Sequence, residues 1–136
     1  MTPTNDRVRE FLAERGCAKH VVKWGLAGLV ASWEELASIL VEPYVGDLDD
    51  YLNDLDTRQI LAETLPIADA DVLGKFTARI AEADDTVREA TKPFGKCVWG
   101  SENAASHDWT VRRNWWYFRV PKLGNDALAN DLERVR

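Results

Sequence analysis

The 136-residue sequence predicts an all-α, mostly helical domain. Three observations carry that expectation. Apolar residues recur at three- and four-residue steps over long stretches, prolines at 43, 66 and 93 punctuate those stretches, and the period changes only beyond Pro93, where aromatics accumulate. The expected arrangement over 1–136 is four main helices in a bundle, at about 5–15, 20–42, 47–65 and 69–91. A Trp-rich extended C-terminal segment, the aromatic tail at about 96–121, closes one side.

The first helix places Val8, Phe11 and Leu12 on one face, and Gly16 can adopt the left-handed conformation that ends it. The second follows the helical repeat most closely, through Leu26, Leu29, Val30, Trp33, Leu36, Ala37, Leu40 and Val41. Gly25, Ala27, Gly28 and Ala31 keep its first half slim, so that a neighbouring helix can approach. In the third, Leu48, Tyr51, Leu52, Leu55, Gln59 and Ala62 form the inner stripe, widened by Ile60 and Leu61, with Asp47, Asp49 and Asp50 placed to cap its positive end. The fourth carries Leu73, Phe76, Ile80, Ala83 and Val87. These stripes and Trp116 predict a core of Phe11, Leu29, Val30, Trp33, Leu40, Leu52, Leu55, Leu73, Phe76, Ile80 and Trp116.

Beyond Pro93 the strand formers of 115–120 suggest a small β-hairpin, Lys96–Trp99 with Trp115–Arg119; a short helix from Asp108 to Trp116 competes with it. Residues 100–108 read as a loop, and Asp126–Val135 as a loose final helix. In an extended tail Trp116, Phe118 and Val120 face one way, completing the core, while Trp115, Tyr117 and Arg119 face the other.

The net charge of −6 is unevenly spread: residues 44–91 carry 12 acids and 4 bases, residues 92–122 carry 2 acids and 6 bases. An acidic middle and a basic aromatic tail attract one another. The overall sign argues against general nucleic-acid binding, which draws on neutralised phosphates. The polar start of the chain lacks the apolar core of a signal peptide, and the longest uncharged apolar stretch, Trp24–Trp33, is about half a membrane span. A cytoplasmic protein without membrane contact is the expectation. Cys17 and Cys97 are far apart and read as separate thiols, Cys97 beside Lys96 being the better candidate for a reactive one.

No catalytic residues and no cofactor are assigned. The acidic run 47–56 misses the calcium-loop pattern, with Leu52 where glycine belongs and Arg58 where glutamate belongs, so no metal is expected. His20 and His107 are the only histidines, and Ser101, Ser106, His107 and Asp108 form no recognised nucleophile motif. Asn53, Asp54 and Asp56 lie beyond the first turn, where capping no longer explains poor helix formers. Asp54 either pairs with Arg58 one turn on or receives one of the tail arginines Arg112, Arg113 and Arg119. Asp84 either pairs on the surface with Arg88 or is a second buried partner of those arginines.

Asp54, Asp84, Arg112, Arg113, Trp115, Tyr117 and Arg119 are therefore the candidate binding residues. The favoured function is a non-enzymatic, bacterial-type interaction protein, an adaptor or immunity-like neutraliser. Its acidic third helix faces a basic partner, and exposed tail rings act as anchors. The alternative is a small-molecule binder or enzyme with a pocket between the tail and helices three and four, using Asp54, Asp84 and Arg119. A homodimer through the exposed aromatic face is a third reading.

Overall fold

The helical periodicity is realised in a computed structural model that describes residues 3–136, with side chains from Arg7 onward. The polar stretch read as lacking a signal peptide begins outside the described residues. In chain order the elements are α1 (Pro3–Glu14), α2 (Lys19–Leu40), α3 (Leu48–Thr64), α4 (Ala70–Gly74), α5 (Thr77–Ala90), β1 (Thr91–Pro93), α6 (Ser101–His107), a 3₁₀ turn (Trp115–Phe118), β2 (Arg119–Pro121) and α7 (Asp126–Glu133). The fold is mostly α, with one two-stranded antiparallel sheet. No helix among the described residues is long and apolar enough to cross a membrane.

The central element is α2, packed against α1, α3 and α5. Its apolar stripe is buried from Leu26 to Leu40. It is not straight, however: Gly25 has φ 61° and ψ −148°, a conformation closed to side chains with a Cβ. A Cβ added at Gly28 would lie 2.4 Å from the Trp24 Cβ. The Trp24 Cβ thus sits over Gly28, and no neighbouring helix among the described residues fills the space that the small residues leave: Trp24, Gly28 and Ala31 border an open groove of about 350 Å³.

The helix ends follow local chemistry. Gly16 takes φ 87° after α1. Asp47 and Asp50 cap α3 reciprocally: the Asp50 N–H donates to Asp47 Oδ1 at 3.0 Å and the Asp47 N–H donates to Asp50 Oδ2 at 3.1 Å. The expected single helix over 69–91 is two. Gly74 closes α4, Phe76 departs from helical geometry (φ −113°, ψ −12°), and the Thr77 hydroxyl covers the Leu73 carbonyl at 2.9 Å. The kink carries Leu73 and Phe76 to the periphery, where they are half-buried, as Phe11 is on α1; the other expected core residues are buried.

The tail differs from the expected hairpin. Trp115–Phe118 coils into a 3₁₀ turn, so the extended chain starts only at Arg119. The pairing register is Thr91↔Pro121, Lys92↔Val120 and Pro93↔Arg119. Lys96–Trp99 contributes one link, Val98 N–H to the Tyr117 carbonyl at 2.8 Å. Because the rings leave a turn rather than a pleat, they do not alternate: adjacent Trp116 and Tyr117 are both buried, while Trp115 and Phe118 are half-buried. Residues 101–107, read as loop, form α6, and no helix spans 108–116.

One polar cluster lies inside the apolar core. The Arg58 guanidinium forks onto Asp84, Nε to Oδ1 at 2.9 Å and Nη2 to Oδ2 at 3.0 Å. The Trp33 indole N–H donates to the same Oδ1 at 2.8 Å. The guanidinium carbon lies 4.4 Å from the Trp116 ring centroid. Arg58 and Asp84 are both buried, so neither of the sequence alternatives for Asp84 holds: its partner is an arginine of α3, not Arg88 and not the tail. Arg88 instead pairs weakly with Asp85, at 3.7 Å.

Removing one partner of such a pair strands the other charge in the core. Asp84→Ala is expected to lower stability by about 3–5 kcal/mol in urea unfolding, and the apolar pair Arg58→Met with Asp84→Leu should recover most of it. A loss below about 1 kcal/mol for Asp84→Ala would show that the pair is not a structural centre.

Candidate functional site

The carboxylates of α3 point to different neighbours because successive turns rotate them around the helix. Asp54 meets Tyr44, whose hydroxyl donates to Oδ2 at 2.6 Å. Arg58, one turn on, enters the core. Asp56 meets the tail, but through neutral donors: the Tyr117 hydroxyl at 2.6 Å and the Trp99 indole N–H at 3.1 Å, both on Oδ1. Asn114 adds a third neutral link, its amide donating to Gln59 Oε1 at 2.9 Å. The tail therefore does lie on α3, but hydroxyl, indole and amide groups join them, not the arginines.

The arginines are engaged elsewhere. Arg119 donates through Nε to the Thr91 hydroxyl at 2.8 Å, and through Nη2 to the carbonyls of Thr91 at 2.8 Å and Arg88 at 3.1 Å. It stitches β2 to the end of α5. Arg113 turns back to the Asp108 carbonyl at 2.8 Å. Arg112 is exposed, with no carboxylate within ion-pair distance among the described residues. The expected pairing of Asp54 with any of them, or with Arg58, is thus replaced by the phenol of Tyr44. Trp115 lies under the Arg88 guanidinium at 4.1 Å and edge-on to Trp33, so it belongs to the rim of the core. The seven candidate residues do not converge, and Asp54, Asp84 and Arg119 have separate partners.

What the fold does gather is a concavity of about 550 Å³ on the opposite flank of α3. Its floor is the polar stripe Asp56, Gln59 and Glu63, spaced to share one helix face. Arg15, at the end of α1, closes one side and forks onto Glu63 at 2.8 and 3.4 Å. The other wall is aromatic. His107 stacks on Trp109 with centroids 4.4 Å apart, and Trp109 packs on Tyr117 at 4.3 Å. Trp99 and Asn103 complete it and also border a second groove of about 500 Å³, which Leu48, Leu52 and Arg134 help to line.

Burial, reinforced by the bond to Asp56, pushes the Tyr117 phenol far above its ordinary value, so it stays a neutral donor. Glu63 chiefly, through its hydrogen bonds, raises the Arg15 guanidinium. His107 Nδ1 lies 2.9 Å from the Asn103 carbonyl, and the Asp108 carboxylate faces Arg113, so Ser106, His107 and Asp108 build no relay. Among the described residues no group of three or more His, Cys, Asp or Glu side chains is placed to hold a metal. Cys97 is 2 % exposed and burial pushes its thiol up, as expected of a small buried thiol and against the rival reading of a reactive one.

Gln59, expected on the inner stripe of the third helix, lines this concavity instead, and no sequence motif groups it with Arg15, Asp56, Glu63, Trp99 and Asn103. The polar spacing of 56, 59 and 63 was the available signal; nothing in the sequence places Arg15 or α6 opposite it. The chain matches no protein-family model, no curated protein and no solved structure.

Two expected outcomes follow from these environments. Burial, and then the nearby Asp50 and Glu35 charges, raise the Asp54 carboxyl above its ordinary value, more than the Tyr44 bond lowers it. A carboxyl raised in the folded state binds its proton more readily than in the unfolded chain. Ionised Asp54 therefore weakens the fold at neutral pH, and this penalty is relieved as pH falls through the folded pKa. Relative to Asp54→Asn, the wild-type urea midpoint should rise as pH falls from neutral toward the ordinary carboxylate range; a pH-independent difference would contradict the environment described. In native-state alkylation Cys17, which is half-buried, should label before Cys97; the reverse order would contradict the burial of Cys97.

Proposed function

We propose that this chain is a non-enzymatic interaction domain whose acidic α3 flank receives a basic partner. The observation that supports it is the way the tail meets α3. Because neutral donors make that contact, the tail's positive charge does not cancel the carboxylates. Arg15 covers Glu63, but Asp49, Asp50 and Asp56 have no cation within ion-pair distance among the described residues. Carboxylates next to the half-buried rings of Trp99 and Trp109 suit lysine and arginine side chains, which gain from both the charge and the ring.

The anchors in this reading are Trp99 and Trp109, not the run 115–118, whose Trp116 and Tyr117 are core residues. A homodimer through that run loses its support for the same reason. An adaptor or immunity-like role and a cytoplasmic setting belong to the same proposal. The size of the concavity, about 550 Å³, also falls within the range of small-ligand sites, which favours a small organic cation as the second reading.

Peptides of equal length, one rich in Lys and Arg and one rich in Asp and Glu, test the proposal by calorimetric titration at about 50 mM and about 500 mM salt. The basic peptide is expected to bind and to weaken at least tenfold at high salt, and Asp49→Lys, at an exposed position, should weaken it further. Equal binding of the two peptides, or binding of neither, would refute the reading.

A further inference from the structure

Asp56 and Asp84 share half of one arrangement. In each, Oδ1 accepts an indole N–H, from Trp99 at 3.1 Å and from Trp33 at 2.8 Å. At Asp84 the arrangement is completed by an arginine fork on both oxygens, with a ring face 4.4 Å from the guanidinium. At Asp56 the second donor on Oδ1 is the Tyr117 hydroxyl, at 2.6 Å, and Oδ2 has no donor among the described residues. Asp84 is buried, whereas Asp56 lines the open concavity.

The other polar groups of that concavity are committed to each other. Glu63 takes the Arg15 fork and the Gln59 amide at 3.0 Å, and Gln59 Oε1 takes Asn114. Asp56 alone among its acids pairs only with neutral donors, so that no cation among the described residues faces it beside Trp99.

We propose that Asp56 receives, at its open Oδ2, the side chain of an arginine carried by the basic partner, while the Trp99 indole and the Tyr117 hydroxyl keep their places on Oδ1. This inference rests on the reading of the protein as a binder of basic partners. A guanidinium fits better than an ammonium because its planar fork can grip one carboxylate while its face lies on a ring. Among the described residues guanidinium groups already lie over tryptophan rings, Arg58 on Trp116 and Arg88 on Trp115 at 4.1 Å. The volume of the concavity exceeds that of one guanidinium head, leaving room for the chain that carries it.

The test uses three otherwise identical basic peptides, with Arg, Lys or citrulline at one central position, and agmatine as the free small cation. Binding is followed by NMR at the Trp99 indole N–H. The arginine peptide should shift that resonance and bind at least tenfold more tightly than the citrulline peptide, with lysine between. Asp56→Asn, which keeps an acceptor for Tyr117 and Trp99 but loses the charge, should remove the arginine preference. Citrulline binding as tightly as arginine in the wild type would overturn the proposal without recourse to any variant, and so would an unchanged arginine preference in Asp56→Asn. Agmatine binding more tightly than the arginine peptide would overturn the partner as the source of the guanidinium. If basic peptides bind with salt dependence but without arginine preference, the Asp56 assignment fails while the basic-partner reading stands. If no basic peptide binds, both fail.

Discussion

Asp84 and Arg58 meet where α2, α3, α5 and the Trp116 turn converge, each of those elements supplying one member of the cluster. Charge in a core is costly unless geometry and hydrogen bonds compensate it, so the pair constrains the packing more sharply than apolar contacts do. A one-turn slip of α5 along α3 would leave a carboxylate without its fork. A rotation of α2 would remove the indole N–H. Apolar surfaces tolerate such shifts at modest cost; a bidentate ion pair flanked by two indoles does not. The tail is drawn into the same arrangement through Trp116, which explains why so aromatic a segment is mostly interior.

The second organising feature is how α3 distributes its acids. A 17-residue helix turns successive side chains through every direction, and here each direction has its own chemistry. Two acids cap its start, one takes a phenol, and one takes an indole and a second phenol. The basic tail approaches this acidic rod without neutralising it, because Arg119 and Arg113 are drawn to carbonyls at the end of α5 and in the preceding turn, and Arg112 points no charge at a carboxylate within ion-pair distance among the described residues. A sequence displays opposite charges, but local backbone acceptors are nearer and need no long side-chain span.

The helices were legible because their cause is periodic. Leu29, Val30, Trp33 and Leu40 announce a buried face by spacing alone, and Asp47 with Asp50 announces a cap. The break at Gly25 was not legible, since a glycine in a helical pattern does not state whether its φ is positive. The split at Phe76 was hidden because its apolar spacing continues across it. In the tail, strand propensity described Val120 correctly and Trp115–Phe118 incorrectly, as the core's demand for adjacent Trp116 and Tyr117 overrode alternation. At the site, Asp84 and Asp54 were noticed for being acids in awkward places, which is a sound signal. Their partners were not legible, because Trp33 and Tyr44 are donors that charge counting ignores. The flank formed by Asp56, Gln59 and Glu63 depends on α6 and Arg15 arriving from opposite ends of the chain, which no local pattern encodes.

The strand pair joins Thr91–Pro93 to Arg119–Pro121, and the Phe94 N–H adds a bond to the Phe118 carbonyl at 2.9 Å. The segment between them, which holds Trp99, α6 and Trp109, is consequently a cinched ring of chain rather than an open flap. Its closure entropy is spent once, during folding. On the reading proposed above, a basic side chain reaching the Asp56 flank would meet walls already in position, so that little of its binding energy would be diverted into ordering the host.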